Sequence, residues 1–154
     1  MDENTNWNKI NNGKEKLSVI RNSVISIRKS KSMFIDSVDP NTVSCGSFFL
    51  NPVLTGEEFG ELEKKCSKNN FIVPSFKTDE GIKVPAAWLV ENAGFHKGYR
   101  KGGVGISTKH SLALINCGGT AKELLDLAAK IENDVYENFG VKLLKEPEII
   151  NCNS

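Results

Sequence analysis

Apolar residues repeat at helical spacing in several stretches of the chain. Between Leu17 and Ile27 they recur at steps of three and four residues, which predicts an amphipathic helix that ends in a basic cluster. A Thr-x-x-Glu capping box precedes a second predicted helix over residues 56–69. Residues 1–16 are polar and lack periodicity, so we expect a flexible lead-in before a domain spanning 17–154.

The second half of the chain predicts two further helices. Pro85 and Gly94 flank a short one. A second capping box begins at Thr120 and starts a long one, which Gly140 ends. Short apolar runs predict strands at residues 71–73, 111–117 and 148–151. Because helices and short strands interleave, the sequence predicts a single-domain α+β fold, in which helices cover a small sheet.

Composition and charge exclude several classes of protein. The chain has 154 residues, of which 39% are hydrophobic and 25% charged, which suits one globular domain. A net charge of +1 gives no electrostatic reason to expect nucleic acid or a membrane as a partner. The polar N-terminus does not resemble a secretory signal, so we expect a cytoplasmic protein. The four cysteines lack metal-ligand spacing, and we expect them to be reduced.

The segment 45–52 is the best candidate for a site. Gly46 permits a sharp turn, Pro52 fixes the backbone, and two phenylalanines anchor the segment, so the Ser47 hydroxyl and the Asn51 carboxamide are expected beside a pocket. No catalytic base or nucleophile elbow accompanies Ser47, which favours a proton donor over a hydrolytic nucleophile. Glu146 is the candidate carboxylate that relays a proton or polarises the serine.

A second glycine-rich segment, 98–105, lacks the strand-to-helix context of a dinucleotide fingerprint. Its glycines are expected to permit close backbone packing. A phosphate-facing role for Arg100 or Lys101 stays open as an alternative.

Residues 44–52 read Ser-Cys-Gly-Ser-Phe-Phe-Leu-Asn-Pro, which resembles the Ser-Ala-Gly-Ser-Phe-Phe-x-Asn-Pro signature of the UDP-N-acetylenolpyruvoylglucosamine reductase (UDP-N-acetylmuramate dehydrogenase) family. Other segments are similar to further motifs of that family, in the same order, at residues 27–33, 83–94, 97–100, 107–110 and 139–141. The resemblance runs from about residue 17 to 150 and covers only the family's C-terminal, substrate-binding domain.

The resemblance implies a function and a role for each matching residue. The family reduces UDP-N-acetylglucosamine enolpyruvate to UDP-N-acetylmuramate in peptidoglycan synthesis, with hydride passing from NADPH to FAD and then to the enol ether. Ser47 would give the proton that completes the reduction, and Glu146 would be the catalytic glutamate, with Glu148 ranked second. Asn51 would orient the serine or the substrate, and Lys31 would meet anionic groups of the substrate.

The family's FAD-binding region has no counterpart in this sequence, so we do not expect FAD to bind this chain alone. Two alternatives stay open. The chain is half of a flavoenzyme, a fragment or one complemented by a separate FAD-binding domain. Otherwise it is a non-catalytic module or remnant that binds a nucleotide sugar. Cys45, Leu50 and Lys145 depart from the family's usual residues.

Overall fold

The computed structural model describes residues 17–67 and 71–150, which contain four α-helices, seven short strands and one turn of 3₁₀ helix at Pro40–Thr42. The lead-in predicted for residues 1–16 lies outside the described residues, as do the last two residues of the helix predicted over 56–69. The elements, in chain order, are α1 (Leu17–Ser30), β1 (Ser44–Ser47), β2 (Val53–Leu54), α2 (Gly56–Ser67), β3 (Phe76–Thr78), β4 (Gly81–Lys83), α3 (Ala86–Asn92), β5 (Arg100–Lys101), β6 (Val104–Ile106), β7 (Ala113–Asn116) and α4 (Ala121–Phe139). The predicted α+β class is confirmed.

Two capping boxes fix where the main helices begin. In α2, the Thr55 N–H donates to the Glu58 carboxylate at 2.8 Å, and the Glu58 N–H donates to the Thr55 hydroxyl at 3.2 Å. In α4, Thr120 and Glu123 make the same reciprocal pair. Gly140 ends α4 in a left-handed conformation with φ +73°, which a glycine adopts without steric cost. Both predicted helix starts and the predicted stop are confirmed.

The strands form two small antiparallel sheets. The four-stranded sheet has the order β1-β7-β6-β5, and the three-stranded sheet has the order β2-β4-β3. In the larger sheet, the central strand β7 is buried over Ala113–Ile115, as the apolar run 111–117 predicted. The β3–β4 hairpin turns at residues 79–80. Gly81, the first residue of β4, has φ +148°, and any Cβ on it would meet the Leu54 carbonyl oxygen at 2.6 Å.

Two predicted strands are wrong. Residues 71–73 form no strand, because the Phe71 ring packs edge-on against Trp88 at 6.1 Å and Ile72 stays 90% exposed. The strand near 148–151 is absent over residues 148–150, which are exposed and follow Pro147, a residue without an N–H to donate. The backbone pairing in this region lies earlier, where Lys145 forms a single antiparallel bridge with Phe49.

The core lies between α4 and the larger sheet, with α2 and α3 packed at its edges. Leu127, Ile131 and Val135 of α4 are fully buried against strand residues such as Ile106 and Leu114. By contrast, α1 contributes no buried residue. Among the described residues, no helix combines the length and apolar character that a membrane crossing requires.

Candidate active site

Ser47 stands directly after an irregularity in β1. Ser44 pairs with Ile115 of β7. Ser47 pairs with Ala113, so three steps along β1 oppose two along β7, which is a β-bulge. Gly46 lies in the bulge with φ +88°, a left-handed conformation that favours glycine. The bulge therefore changes the direction of the chain immediately before the Ser47 hydroxyl.

Two phenylalanines hold the segment after Ser47 in the core. Phe48 and Phe49 are 3% and 2% exposed, and their rings meet edge-on at 5.4 Å. The Phe48 N–H donates to the carbonyl of Leu112 at 2.8 Å. Ser47 is half-buried beside these anchors, so its position is set by rigid neighbours on the C-terminal side.

The C-terminal segment pairs with this anchor and carries Glu146 to it. The Leu50 N–H donates to the Leu144 carbonyl at 2.9 Å, and the Glu146 N–H donates to the Phe48 carbonyl at 3.0 Å. These two bonds align residues 144–146 antiparallel to residues 48–50. A glutamate distant in sequence is thereby fixed next to the end of β1.

Lys145 helps to orient this segment. Its ammonium pairs with the Glu132 carboxylate of α4 at 2.8 Å, and both side chains are less than one-third exposed. Because successive side chains of an extended segment point to opposite sides, this ion pair turns the next side chain, Glu146, away from α4. The lysine that departs from the family's usual residue thus has a structural partner.

Ser47 and Glu146 line one cleft of about 430 Å³. The other walls of the cleft come from the end of α1, from the turn that follows α1, from Thr42 and from β1. The described lining residues are Arg28, Ser32, Met33, Phe34, Ile35, Thr42, Ser44, Cys45, Gly46, Ser47 and Glu146. Among these, Arg28 supplies a positive charge and Glu146 a negative one. The cleft therefore combines a hydroxyl, a carboxylate and a guanidinium, a set able to bind an anion and move a proton.

Arg28 is a cleft residue to which the sequence analysis gave no role, although it lies in the family-like segment 27–33. Its Nε donates to the Met33 carbonyl at 3.1 Å. This bond folds the chain back after α1 and leaves the forked end of the guanidinium for a ligand.

The turn after α1 is held to the sheet by a polar network. Ser32 has φ +54°, which is uncommon for a residue with a side chain, and its hydroxyl donates to the Asp39 carboxylate at 2.6 Å. That bond, with the donors of Asn41, lowers the pKa of Asp39. The Asn41 side-chain oxygen in turn accepts from the Thr108 N–H at 2.8 Å. One wall of the cleft is therefore fixed to the loop before β7.

The structure does not bring Lys31 or Asn51 into this cleft. Lys31 is exposed, and it lies close enough to His110, as Lys97 does, for its charge to act on that imidazole. Burial, followed by the charges of the two lysines, lowers the pKa of His110. The Asn51 Oδ1 accepts from the Ala86 N–H at 2.8 Å, so this side chain secures the start of α3.

The other candidates also lie outside the cleft. Glu148 is exposed and is not among the cleft residues. The Arg100 guanidinium donates to the Ile106 carbonyl at 2.7 Å and so closes the β5–β6 hairpin. Lys101 is exposed on the same hairpin. In this conformation, Arg100 therefore serves the hairpin and does not face the cleft.

Comparison with known proteins identifies the domain. Residues 39–150 match the family described as "UDP-N-acetylenolpyruvoylglucosamine reductase, C-terminal domain", which is most of the 154-residue chain. The chain belongs to this family. It corresponds to the C-terminal domain of the reductase.

Curated reductases support the assignment over the same region. The chain is 45% identical to the UDP-N-acetylenolpyruvoylglucosamine reductase of Thermobifida fusca (strain YX) over 139 residues, covering 87% of this chain and 39% of the relative. It is 41% identical to that of Mycobacterium tuberculosis (strain ATCC 25618 / H37Rv), covering 86% of this chain and 37% of the relative. The reductase of Streptomyces coelicolor is 44% identical, with 85% and 36% covered. The chain thus spans less than two-fifths of these relatives.

The glycine-rich segment 98–105 does not form a Rossmann-type dinucleotide cradle. That cradle needs open glycines at a strand-to-helix turn, whereas this segment forms the β5–β6 hairpin. Any Cβ on Gly103 would clash with the Gly119 backbone, and one on Gly105 would clash with the Tyr99 carbonyl oxygen. The protein's own backbone occupies that space, so the expected close packing is confirmed. The described residues also contain no cluster of three metal-ligating side chains.

Proposed function

We propose that this chain is the substrate-binding and proton-donating half of a flavin-dependent reductase. The full reaction converts UDP-N-acetylglucosamine enolpyruvate to UDP-N-acetylmuramate with NADPH, a step in peptidoglycan synthesis, and a separate domain holds the FAD. The observation that carries the proposal is the shared cleft, in which a bulge and an antiparallel pairing place Ser47 and Glu146 together. Membership of the reductase family supports the assignment.

The chemistry requires one proton donor on this domain. The substrate is an enol ether conjugated to a carboxylate, and a flavin held by a separate domain would supply hydride to its methylene carbon. The electron pair of the double bond then moves to the carbon next to the carboxylate, forming an enolate. Ser47 transfers its hydroxyl proton to that carbon as the new C–H bond forms, and Glu146 relays a replacement proton to the serine oxygen.

The surrounding residues suit the anionic parts of this substrate. Arg28 can pair its guanidinium with the carboxylate of the enolpyruvyl group, which stabilises the negative charge that develops there. Lys31 directly precedes the cleft residue Ser32, so its ammonium can offer positive charge to a diphosphate. Asn51 orients the serine segment, because its side-chain oxygen accepts a hydrogen bond from the Ala86 N–H and so ties the end of that segment to α3.

Reconstitution tests this function directly. The chain is mixed with the N-terminal part of the Thermobifida fusca reductase that it does not match, purified with its flavin bound. We expect NADPH oxidation and lactyl ether formation only when both proteins and the enolpyruvyl substrate are present. A mixture that contains both folded proteins and forms no lactyl ether would contradict the proposal.

The alternative is a module that only binds a nucleotide sugar and does not take part in catalysis. Calorimetry on the isolated chain separates the two. The half-enzyme should bind UDP-N-acetylglucosamine enolpyruvate weakly, because its cleft is open on the side that the other domain closes. Tight binding without turnover in the mixture would indicate the module.

A further inference from the structure

Ser32 stands at a helix-end position that glycine usually fills. After α1, the Ser32 N–H donates to the Lys29 carbonyl at 3.0 Å, and the Met33 N–H donates to the Arg28 carbonyl at 2.8 Å. This pair of bonds is a Schellman motif, in which Ser32, with φ +54°, is the residue in the left-handed conformation. Glycine adopts that conformation without strain, whereas a residue with a Cβ does so at a steric cost. A contact of the Ser32 side chain is therefore needed to offset this cost.

Asp39 provides that contact. The Ser32 hydroxyl donates to one oxygen of the Asp39 carboxylate at 2.6 Å, and Ser32 is only 5% exposed. The other carboxylate oxygen accepts from the Asn41 N–H at 2.9 Å and from its side-chain amide at 2.8 Å. These donors, with Ser32 first, lower the pKa of Asp39, so the carboxylate stays ionised and the bonds are charge-assisted. Asp39 therefore ties the end of α1 to Asn41, which is itself bound to the loop before β7.

Among the described residues, little else fastens α1 to the rest of the domain. None of its residues is buried. The hydrogen bonds that its side chains donate end within the helix or at Met33, in the turn itself. Arg28 lies in the last turn of α1 and lines the cleft. The bond between Ser32 and Asp39 therefore decides where the Arg28 guanidinium lies.

We propose that Ser32 and Asp39 form a latch that positions Arg28 for the substrate carboxylate. The inference rests on the proposed function, in which Arg28 pairs with that carboxylate. Asp39 is a positioning residue, because it acts through the turn and through Arg28. Ser47 and Glu146 are held separately, by the sheet and by the C-terminal segment, so the latch acts on substrate binding and charge stabilisation and leaves the proton donor in place.

Limited digestion with trypsin tests the latch without substrate. Trypsin cuts after the basic residues at the end of α1, and the cut sites are read by mass spectrometry. Asp39→Ala should speed cleavage at these sites by about tenfold, because loss of a hydrogen bond to a charged group raises the population of the open turn. Asp36→Ala is the matched control: it removes the same charge from the same segment, and its carboxylate accepts only from the nearby Val38 N–H. Cleavage at the wild-type rate in Asp39→Ala would overturn the latch.

The reconstituted mixture tests the role in the reaction. We expect Asp39→Ala and Ser32→Gly each to lower kcat/KM by about tenfold, since either change releases Arg28 from its contact with a charged group. Ser32→Gly keeps the left-handed turn without strain, so a serine that only ended α1 would be replaced without loss. Asp39→Asn keeps an oxygen for Asn41 and an amide that can donate to the Ser32 oxygen, and it should restore most of the activity.

A variant that combines Asp39→Ala with Arg28→Ala shows whether Asp39 acts through Arg28. In the Arg28→Ala background, Asp39→Ala should cause no further loss of kcat/KM, because the two changes remove one shared contact. Losses that multiply would overturn the proposal, as would an unchanged kcat/KM in Ser32→Gly. If trypsin cleavage changes as expected but the wild-type mixture forms no lactyl ether, the proposed function fails and the latch stands.

Discussion

Replacing Asn51 tests how the serine segment is held. In Asn51→Ala, the Ala86 N–H loses its acceptor at 2.8 Å, in a residue that is fully buried. A buried donor without an acceptor lowers the free energy of unfolding by about 1–3 kcal/mol. The loss lies at the lower end of that range if water enters the space left by the side chain and accepts the hydrogen bond. For a domain of this size, each kcal/mol shifts Tm by about 3 °C, so Tm should fall by about 3 to 9 °C.

Asn51→Asp is the matched control for this prediction. The carboxylate keeps an oxygen for the Ala86 N–H, and its negative charge is favourable at the start of α3. We expect its free energy of unfolding to stay within about 0.5 kcal/mol of the wild type, as for substitutions that preserve a contact. The assay is urea unfolding followed by circular dichroism, with thermal melting as a second measurement. An alanine variant as stable as the wild type, or an aspartate variant as unstable as the alanine variant, would refute the reasoning.

Three further predictions follow from the same structure. Gly46→Ala should lower the free energy of unfolding by about 1–2 kcal/mol, because φ is +88° there; the added Cβ itself meets nothing within 4 Å. Gly60→Ala, inside α2, should raise the free energy of unfolding by about 1 kcal/mol, because alanine favours a helix more than glycine does. Urea unfolding that gives a change of the same sign for both variants would contradict this. Burial lowers the pKa of His110 in the folded protein, so below a pH of about 6.5 the unfolded chain binds a proton at His110 more readily and the free energy of unfolding should fall as the pH drops. This fall should be smaller in His110→Asn, which keeps an acceptor for the Leu112 N–H. Equal pH profiles for the variant and the wild type would exclude His110 as the cause. We expect the purified chain to be colourless and to gain no flavin absorbance on dialysis with FAD, and a yellow protein would contradict this expectation.

Local signals predicted the helices well. The Thr120 and Glu123 pair, like the Thr55 and Glu58 pair, is satisfied within one turn, so neighbouring residues suffice to identify it. Gly140 likewise ends α4 through its own backbone conformation. A short strand forms only where a distant strand pairs with it, and the local sequence does not show that strand. Residues 71–73 do not form the predicted strand, and the Phe71 ring packs against Trp88 of α3.

The candidate site shows the same division between local and distant contacts. The sequence predicted a sharp turn at Gly46, and in the structure the chain changes direction there through a β-bulge, which depends on pairing with β7. The bond from Ala86 to Asn51 joins residues 35 positions apart, and only the folded chain shows that this amide secures α3. Arg28 lines the cleft because the chain folds back after α1 at Ser32. Ser32 has a positive φ, and a serine in the sequence does not predict this backbone conformation.

The central claim is that Ser47 gives the proton that completes the reduction. Its most direct test is the single-turnover rate of lactyl ether formation in the reconstituted system, comparing Ser47→Ala with Cys45→Ala, a neighbour in the same cleft. Loss of a general acid typically slows such a step by about 10²- to 10⁴-fold, so we predict that fall for Ser47→Ala, with substrate binding retained and the Cys45 variant unaffected. A Ser47→Ala variant that forms product at the wild-type rate would contradict the account.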